Sequence, residues 1–213
     1  MAVIHEEQRT VSFKIVYGGP PLGGKTTNVQ HIHSCLDPET RSDLVSLASS
    51  ADRTLFFDFL AIDAPMPNGY KAKFHLYTVP GQVIYNATYQ LVLRQADGLV
   101  FVADSQMDRM VDNIQAWETL QTNLKRNGQS LDRIPLVLQY NKRDLPNIAP
   151  VEYMEYLLNS GERRFHSYEG AAAYGHNVLS TLNTISHTVL SRFNAMMTAE
   201  KQNAGTAAET VGA

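Results

Sequence analysis

From Thr10 to Tyr17 the apolar residues Val11, Phe13 and Ile15 alternate with polar ones. That period of two predicts a β-strand. A Gly/Pro cluster interrupts it, and a helix is expected from Lys25 to Cys35. Arg53 to Ile62 and Tyr70 to Val79 read as two strands joined by Pro65-Met66-Pro67-Asn68-Gly69, where Asn-Gly favours a hairpin. Tyr85 to Arg94 reads as a helix. Gly98 to Ala103 is a short continuous apolar run, the pattern of a strand buried on both faces. Met107 to Arg126 is expected to form a long helix closed by Asn127-Gly128, a C-cap signal. An apolar strand (Ile134 to Gln139), a helix (Val151 to Leu158), a short strand near Phe165 to Tyr168 and a helix (Val178 to Met197) complete the series.

Strands that alternate with helices predict an α/β fold. The expectation is a mostly parallel central sheet with one antiparallel hairpin and helices on both faces. Residues 1–9 form an N-terminal segment and residues 10–197 one domain. Residues 198–213 shift to Ala, Glu, Thr, Gly, Gln and Asn and read as a disordered tail.

The chain has 213 residues, 44% of them apolar and 18% charged, enough for a sizeable single core. Its formal charge of −3 supplies no basic field for nucleic acid or anionic lipid. The single cysteine, Cys35, cannot form an internal disulfide, which fits a reducing cytoplasm. No secretory signal, spanning apolar run or lipidation box is found, so no direct membrane anchor is expected. His31 and His33 are two residues apart and would face different directions on a helix, and no zinc site is assigned.

Two motifs carry chemistry. Gly19-Pro20-Pro21-Leu22-Gly23-Gly24-Lys25-Thr26 matches G-x-x-x-x-G-K-[ST] between an expected strand and an expected helix. Loop amides and the helix N-terminus attract phosphate oxygens, and glycines permit close backbone approach. Lys25 supplies a cation to the β- and γ-phosphates, and the Thr26 hydroxyl ligates Mg²⁺. The second motif, Asn141-Lys142-Arg143-Asp144, follows an apolar strand. A carboxylate there accepts both edge donors of guanine, and adenine offers neither in that arrangement. Together they predict a GTP/GDP site.

These residues resemble the Ras-like small GTPases, and within them the bacterial MglA family. The resemblance lies in Gly24–Asn28, Asp52–Phe59, Phe74–Gln82, Val102–Gln106 and Gln139–Pro146, and spans about residues 10–195. It implies nucleotide contacts from Gly19, Leu22, Gly23, Gly24, Lys25, Thr26, Thr27, Thr54, Gly81, Asn141, Lys142, Asp144 and Ala172. Thr26 and Thr54 are implied as Mg²⁺ ligands, Gln82 as the residue that orients the attacking water, and Arg53 as an arginine acting on transition-state charge. Ras-like proteins usually carry Asp where this chain has Thr78. MglA-like proteins share the change, which makes the nearby Asp58 a candidate to compensate.

The implied function is slow GTP hydrolysis in a molecular switch for cell polarity and surface motility. Its implied partners are an MglB-like Roadblock-type activator and polarity or motility effectors, in the cytoplasm or at a cell pole. A P-loop ATPase or kinase and a nucleotide-locked interaction module are the alternatives.

Overall fold

A computed structural model describes residues 2–48, 56–66, 69–79 and 86–211. The strands are β1 (Val3–His5), β2 (Thr10–Gly18), β3 (Val45–Ala48), β4 (Phe56–Pro65), β5 (Lys71–Thr78), β6 (Gly98–Asp104), β7 (Leu136–Asn141) and β8 (His166–Glu169). The α-helices are α1 (Lys25–Cys35), α2 (Asn86–Leu93), α3 (Met110–Arg126), α4 (Val151–Leu158) and α5 (Val178–Val211). The strands form one sheet in the order β3-β4-β5-β2-β6-β7-β8, with β1 paired to the start of β2. The pairings β2–β5, β2–β6, β6–β7 and β7–β8 are parallel.

Burial follows the pattern each strand carries. Every residue of β6 and β7 is buried, as expected of a continuous apolar run covered on both faces. Strand β5 alternates, with Ala72, Phe74, Leu76 and Thr78 buried and the residues between them more exposed. On one face, α1 and α5 contribute Val29, Ile32, Ile185 and Val189 to a core with Phe13, Ile15 and Val100. On the other, α2, α3 and α4 set Leu93, Leu120 and Met154 against Val16, Phe101 and Leu138. The central strands are thereby shielded, and their C-terminal ends open into loops.

The α/β architecture matches the sequence pattern, with differences at its margins. The hairpin is present as the antiparallel pair β4–β5, and Gly69 in its turn has φ +77°. Among the described residues two further antiparallel pairs occur, β1–β2 and β3–β4. Both β1 and β3 are too short to display a period, and β1 is exposed along its length. The expected helix from Met107 begins as a 3₁₀ turn, Met107–Arg109, before α3. Helix α5 continues to Val211, where composition suggested a disordered tail from Thr198. A helix already nucleated adds further residues at low cost, and this stretch is rich in Ala, with Glu, Lys and Gln.

Strand β6 starts at Gly98 because α5 crosses it closely. A Cβ there would lie 2.6 Å from Val189 Cγ2 and 3.1 Å from Ile185 Cδ1. Gly98→Ala is expected to destabilise the fold by about 1–3 kcal/mol through overpacking, measured by urea denaturation. Unchanged stability would mean that α5 shifts freely away from the sheet.

Candidate functional site

The loop between β2 and α1 lies at the C-terminal edge of the sheet, where the strand order reverses and α/β proteins bind ligands. Its glycines are demanded by contact. Gly19 has φ +134°, and a Cβ there would meet the Val102 carbonyl oxygen at 2.2 Å. Gly24 has φ +101°, and a Cβ would meet Asn141 Nδ2 at 2.1 Å. The loop is therefore pressed onto β6 and onto the side chain that ends β7.

Lys25 opens α1 and is buried. Its ammonium donates to the carbonyls of Gly19 at 3.1 Å and Pro20 at 2.7 Å, arching over the loop. Burial pulls its pKa from 10.5 down to about 8, and the Asp58 charge opposes that shift. Thr26 is exposed, and its Oγ1 donates to Asp58 Oδ2 at 2.6 Å. Thr27 is half-buried behind it.

Asp58, on β4, gathers a small hydroxyl cluster. Its Oδ1 accepts from Ser46 at 2.7 Å, and its Oδ2 accepts from Thr78 Oγ1 at 2.9 Å. Thr78 Oγ1 also accepts the Asp58 backbone N–H at 2.8 Å. Thr78 thus steadies a carboxylate supplied by the neighbouring strand, which sets an acidic group beside Thr26. These are hard oxygen donors at the mouth of a phosphate-type loop. Among the described residues no cluster of three or more His, Cys, Asp or Glu could cage a metal. One hydroxyl and a nearby carboxylate suit Mg²⁺, which usually keeps waters and phosphate oxygens in its shell.

The second motif ends β7. Asn141 is buried, and its side chain makes two bonds. Nδ2 donates to the Gly23 carbonyl at 2.8 Å, and Oδ1 accepts the Ala172 N–H at 2.9 Å. Ala172 is therefore brought to the site, with its amide committed to Asn141. Lys142 has φ +66°, and its Nζ donates to Asp104 Oδ2 at 2.6 Å. The Asp144 side chain is exposed and makes no hydrogen bond or ion pair among the described residues. Leu22 is at the tip of the phosphate loop, 83% exposed.

Contacts join Gly19 with Lys25, and Gly23, Gly24 and Ala172 with Asn141, while Leu22, Thr26, Thr27, Lys142 and Asp144 adjoin them along the chain. Arg53, Thr54, Gly81 and Gln82 lie outside the described residues. The sequence reading missed Asp104 and Arg109. Asp104 is fully buried at the end of β6, and Arg109 reaches both it and the Pro21 carbonyl. A charged residue directly after a fully apolar strand, at the ligand-bearing edge of a parallel sheet, was the available signal.

Lys25 gives a stability test of its environment. Below pH 8 its ammonium is charged in both states, and the fold bears the full cost of burial. Between about 8 and 10.5 the unfolded chain keeps a proton that the folded chain releases, so folding gains as pH rises. In denaturation of the nucleotide-free protein, Lys25→Met is expected to be more stable than wild type at pH 7. The gap should narrow from pH 8 upward. A gap constant across that range would contradict a desolvated ammonium.

No protein-family profile matches the chain. One curated relative does: "Mutual gliding-motility protein MglA" of Myxococcus xanthus (strain DK1622) is 48% identical over 190 residues, covering 89% of this chain and 96% of that protein. The chain belongs to the MglA family of Ras-like small GTPases.

Proposed function

We propose that this protein is a GTP-binding and GTP-hydrolysing switch that regulates cell polarity and surface motility through nucleotide-dependent partner binding. The observation that carries the reading is the Asn141 side chain, which joins the phosphate loop at Gly23 to the purine-side segment at Ala172. Such a joint holds a triphosphate cradle and a base reader at a fixed spacing, as one nucleotide requires.

An ammonium has three donors, and Lys25 spends two on Gly19 and Pro20. The third can reach a β- or γ-phosphate oxygen. Loop amides and the N-terminus of α1 add fixed positive ends for the same anion. The open Asp144 carboxylate accepts the edge donors of guanine and discriminates against adenine. Thr26 and Thr54 would hold Mg²⁺, with Asp58 close to Thr26. When bound, the ion neutralises charge on the transferring phosphoryl group. Gln82 orients the attacking water, and Arg53 stabilises charge that develops during transfer. Loss of the γ-phosphate frees Thr54 and relaxes the segments around it.

Phosphoryl transfer depends on placement and charge, so unassisted turnover is slow when Gln82 and Arg53 are not held in place. An MglB-like Roadblock-type protein supplies that constraint, and effectors read the GTP form. The name of the Myxococcus xanthus relative supports gliding motility as the output. No helix among the described residues is long and apolar enough to cross a membrane.

Titration with GDP, GTP and ATP in Mg²⁺ tests the reading. Guanine nucleotides should bind and ATP should not compete. Lys25→Ala should abolish binding, and Asp144→Asn should weaken GTP while favouring the xanthine nucleotide. Equal displacement by ATP, or retained guanine preference in Asp144→Asn, would overturn the base-reading role. Phosphate release should rise when the Roadblock-type partner is added. No release under any condition would make the protein a nucleotide-locked module.

A further inference from the structure

The tip of the phosphate loop is a tight turn in which the Gly23 N–H donates to the Pro20 carbonyl at 3.2 Å across Pro21 and Leu22. Pro20 and Pro21 have no N–H, and Leu22 has φ +60°, a conformation that L side chains avoid. The Leu22 side chain is 83% exposed and so is not packed into that position by neighbours. A strained residue persists only where its surroundings fix it. Beside the turn's own hydrogen bond, a second fixing group comes from another element. Arg109, at the end of the 3₁₀ turn before α3, donates from Nη2 to the Pro21 carbonyl at 3.0 Å, on the peptide that leads into Leu22. Among the described residues it is the hydrogen-bond donor to that carbonyl.

Arg109 is itself held. Its Nη1 lies 2.8 Å from Asp112 Oδ2, and its Nε lies 3.8 Å from Asp104 Oδ2. Asp104 is fully buried, and its Oδ2 is the oxygen that accepts from Lys142. Its backbone N–H and C=O both bond the Asn113 side chain, at 2.9 and 2.7 Å. The turn that carries Arg109 is tied by the Met107 N–H to the Asn147 carbonyl at 2.9 Å, just beyond the base-reading motif. A chain of contacts thus runs Pro21, Arg109, Asp104, Lys142, alongside the separate joint at Asn141.

We propose that Arg109 is a positioning residue that latches the strained tip of the phosphate loop and so sets how long a guanine nucleotide stays bound. The inference rests on the guanine-nucleotide reading above. Arg109 acts through the Pro21–Leu22 peptide, and its planar fork lets one side chain serve a carbonyl and two carboxylates at once.

The test is release of a fluorescent GDP from the full-length protein, chased with excess unlabelled GDP in Mg²⁺. Arg109→Ala should release GDP about tenfold faster, the scale of one charge-assisted hydrogen bond. Arg109→Lys keeps the charge but not the fork and should fall between. The Leu22→Gly background separates a latch from general weakening, because glycine adopts positive φ without strain. In that background, adding Arg109→Ala should speed release by only about twofold, since the strain it opposes is gone. Thermal unfolding verifies that the variants fold, and if Arg109→Ala does not, Arg109→Lys carries the comparison. Unchanged release in the Arg109 variants overturns the latch. So does an equal acceleration with and without Leu22→Gly. Failure of the wild type to bind labelled GDP would instead overturn the nucleotide reading itself.

Discussion

The site depends on one buried amide. Asn141 ends β7 and spends its carboxamide on two backbone groups far apart in sequence, the Gly23 carbonyl and the Ala172 amide. Because it is buried, water cannot substitute for either bond, and breaking one leaves a polar group unsatisfied at about 1–3 kcal/mol. Gly24 belongs to the same constraint, since any Cβ would collide with Asn141 Nδ2. The Gly19–Thr26 loop and the Asn141–Asp144 motif are thus set against each other by one buried side chain.

Charge is managed in the same sparing way around that joint. Lys25 and Asp104 are both buried at the ligand-bearing edge. Lys25 faces loop carbonyls and feels Asp58, whereas Asp104 is answered directly by Lys142 and more distantly by Arg109. A buried carboxylate with hydrogen-bonded partners can persist, while one stripped of a partner is costly. Asp58 repeats the logic with hydroxyl partners, Thr26, Ser46 and Thr78. The threonine at the position where Ras-like proteins usually carry Asp donates to a carboxylate from the adjacent strand. The antiparallel β4–β5 pairing sets Asp58 directly beside Thr78 and so places a carboxylate near Thr26.

Much of this was legible in order along the chain. The period of two in β2, the apolar runs of β6 and β7, and the helix from Lys25 to Cys35 are local patterns, and the structure carries them at nearly the expected positions. The phosphate loop and Asn141–Asp144 could be read because each demands particular residue types at fixed spacing. The short strands β1 and β3 could not, since three or four residues hold too few periods to register. The length of α5 was underestimated for a different reason. Composition reports whether a segment can bury a core, and a helix that extends from a packed one does not need to.

Sequence alone determined the element types, the α/β class and the two motifs, because periodicity, glycine freedom and side-chain chemistry act within a few residues. Tertiary structure decided which distant groups meet: Asn141 with Gly23 and Ala172, Asp58 with Thr26, and Arg109 with Pro21. Those contacts join residues separated by tens of positions. They arise from strand order and helix placement, which are fixed by burying both faces of the sheet at once and not by any local pattern.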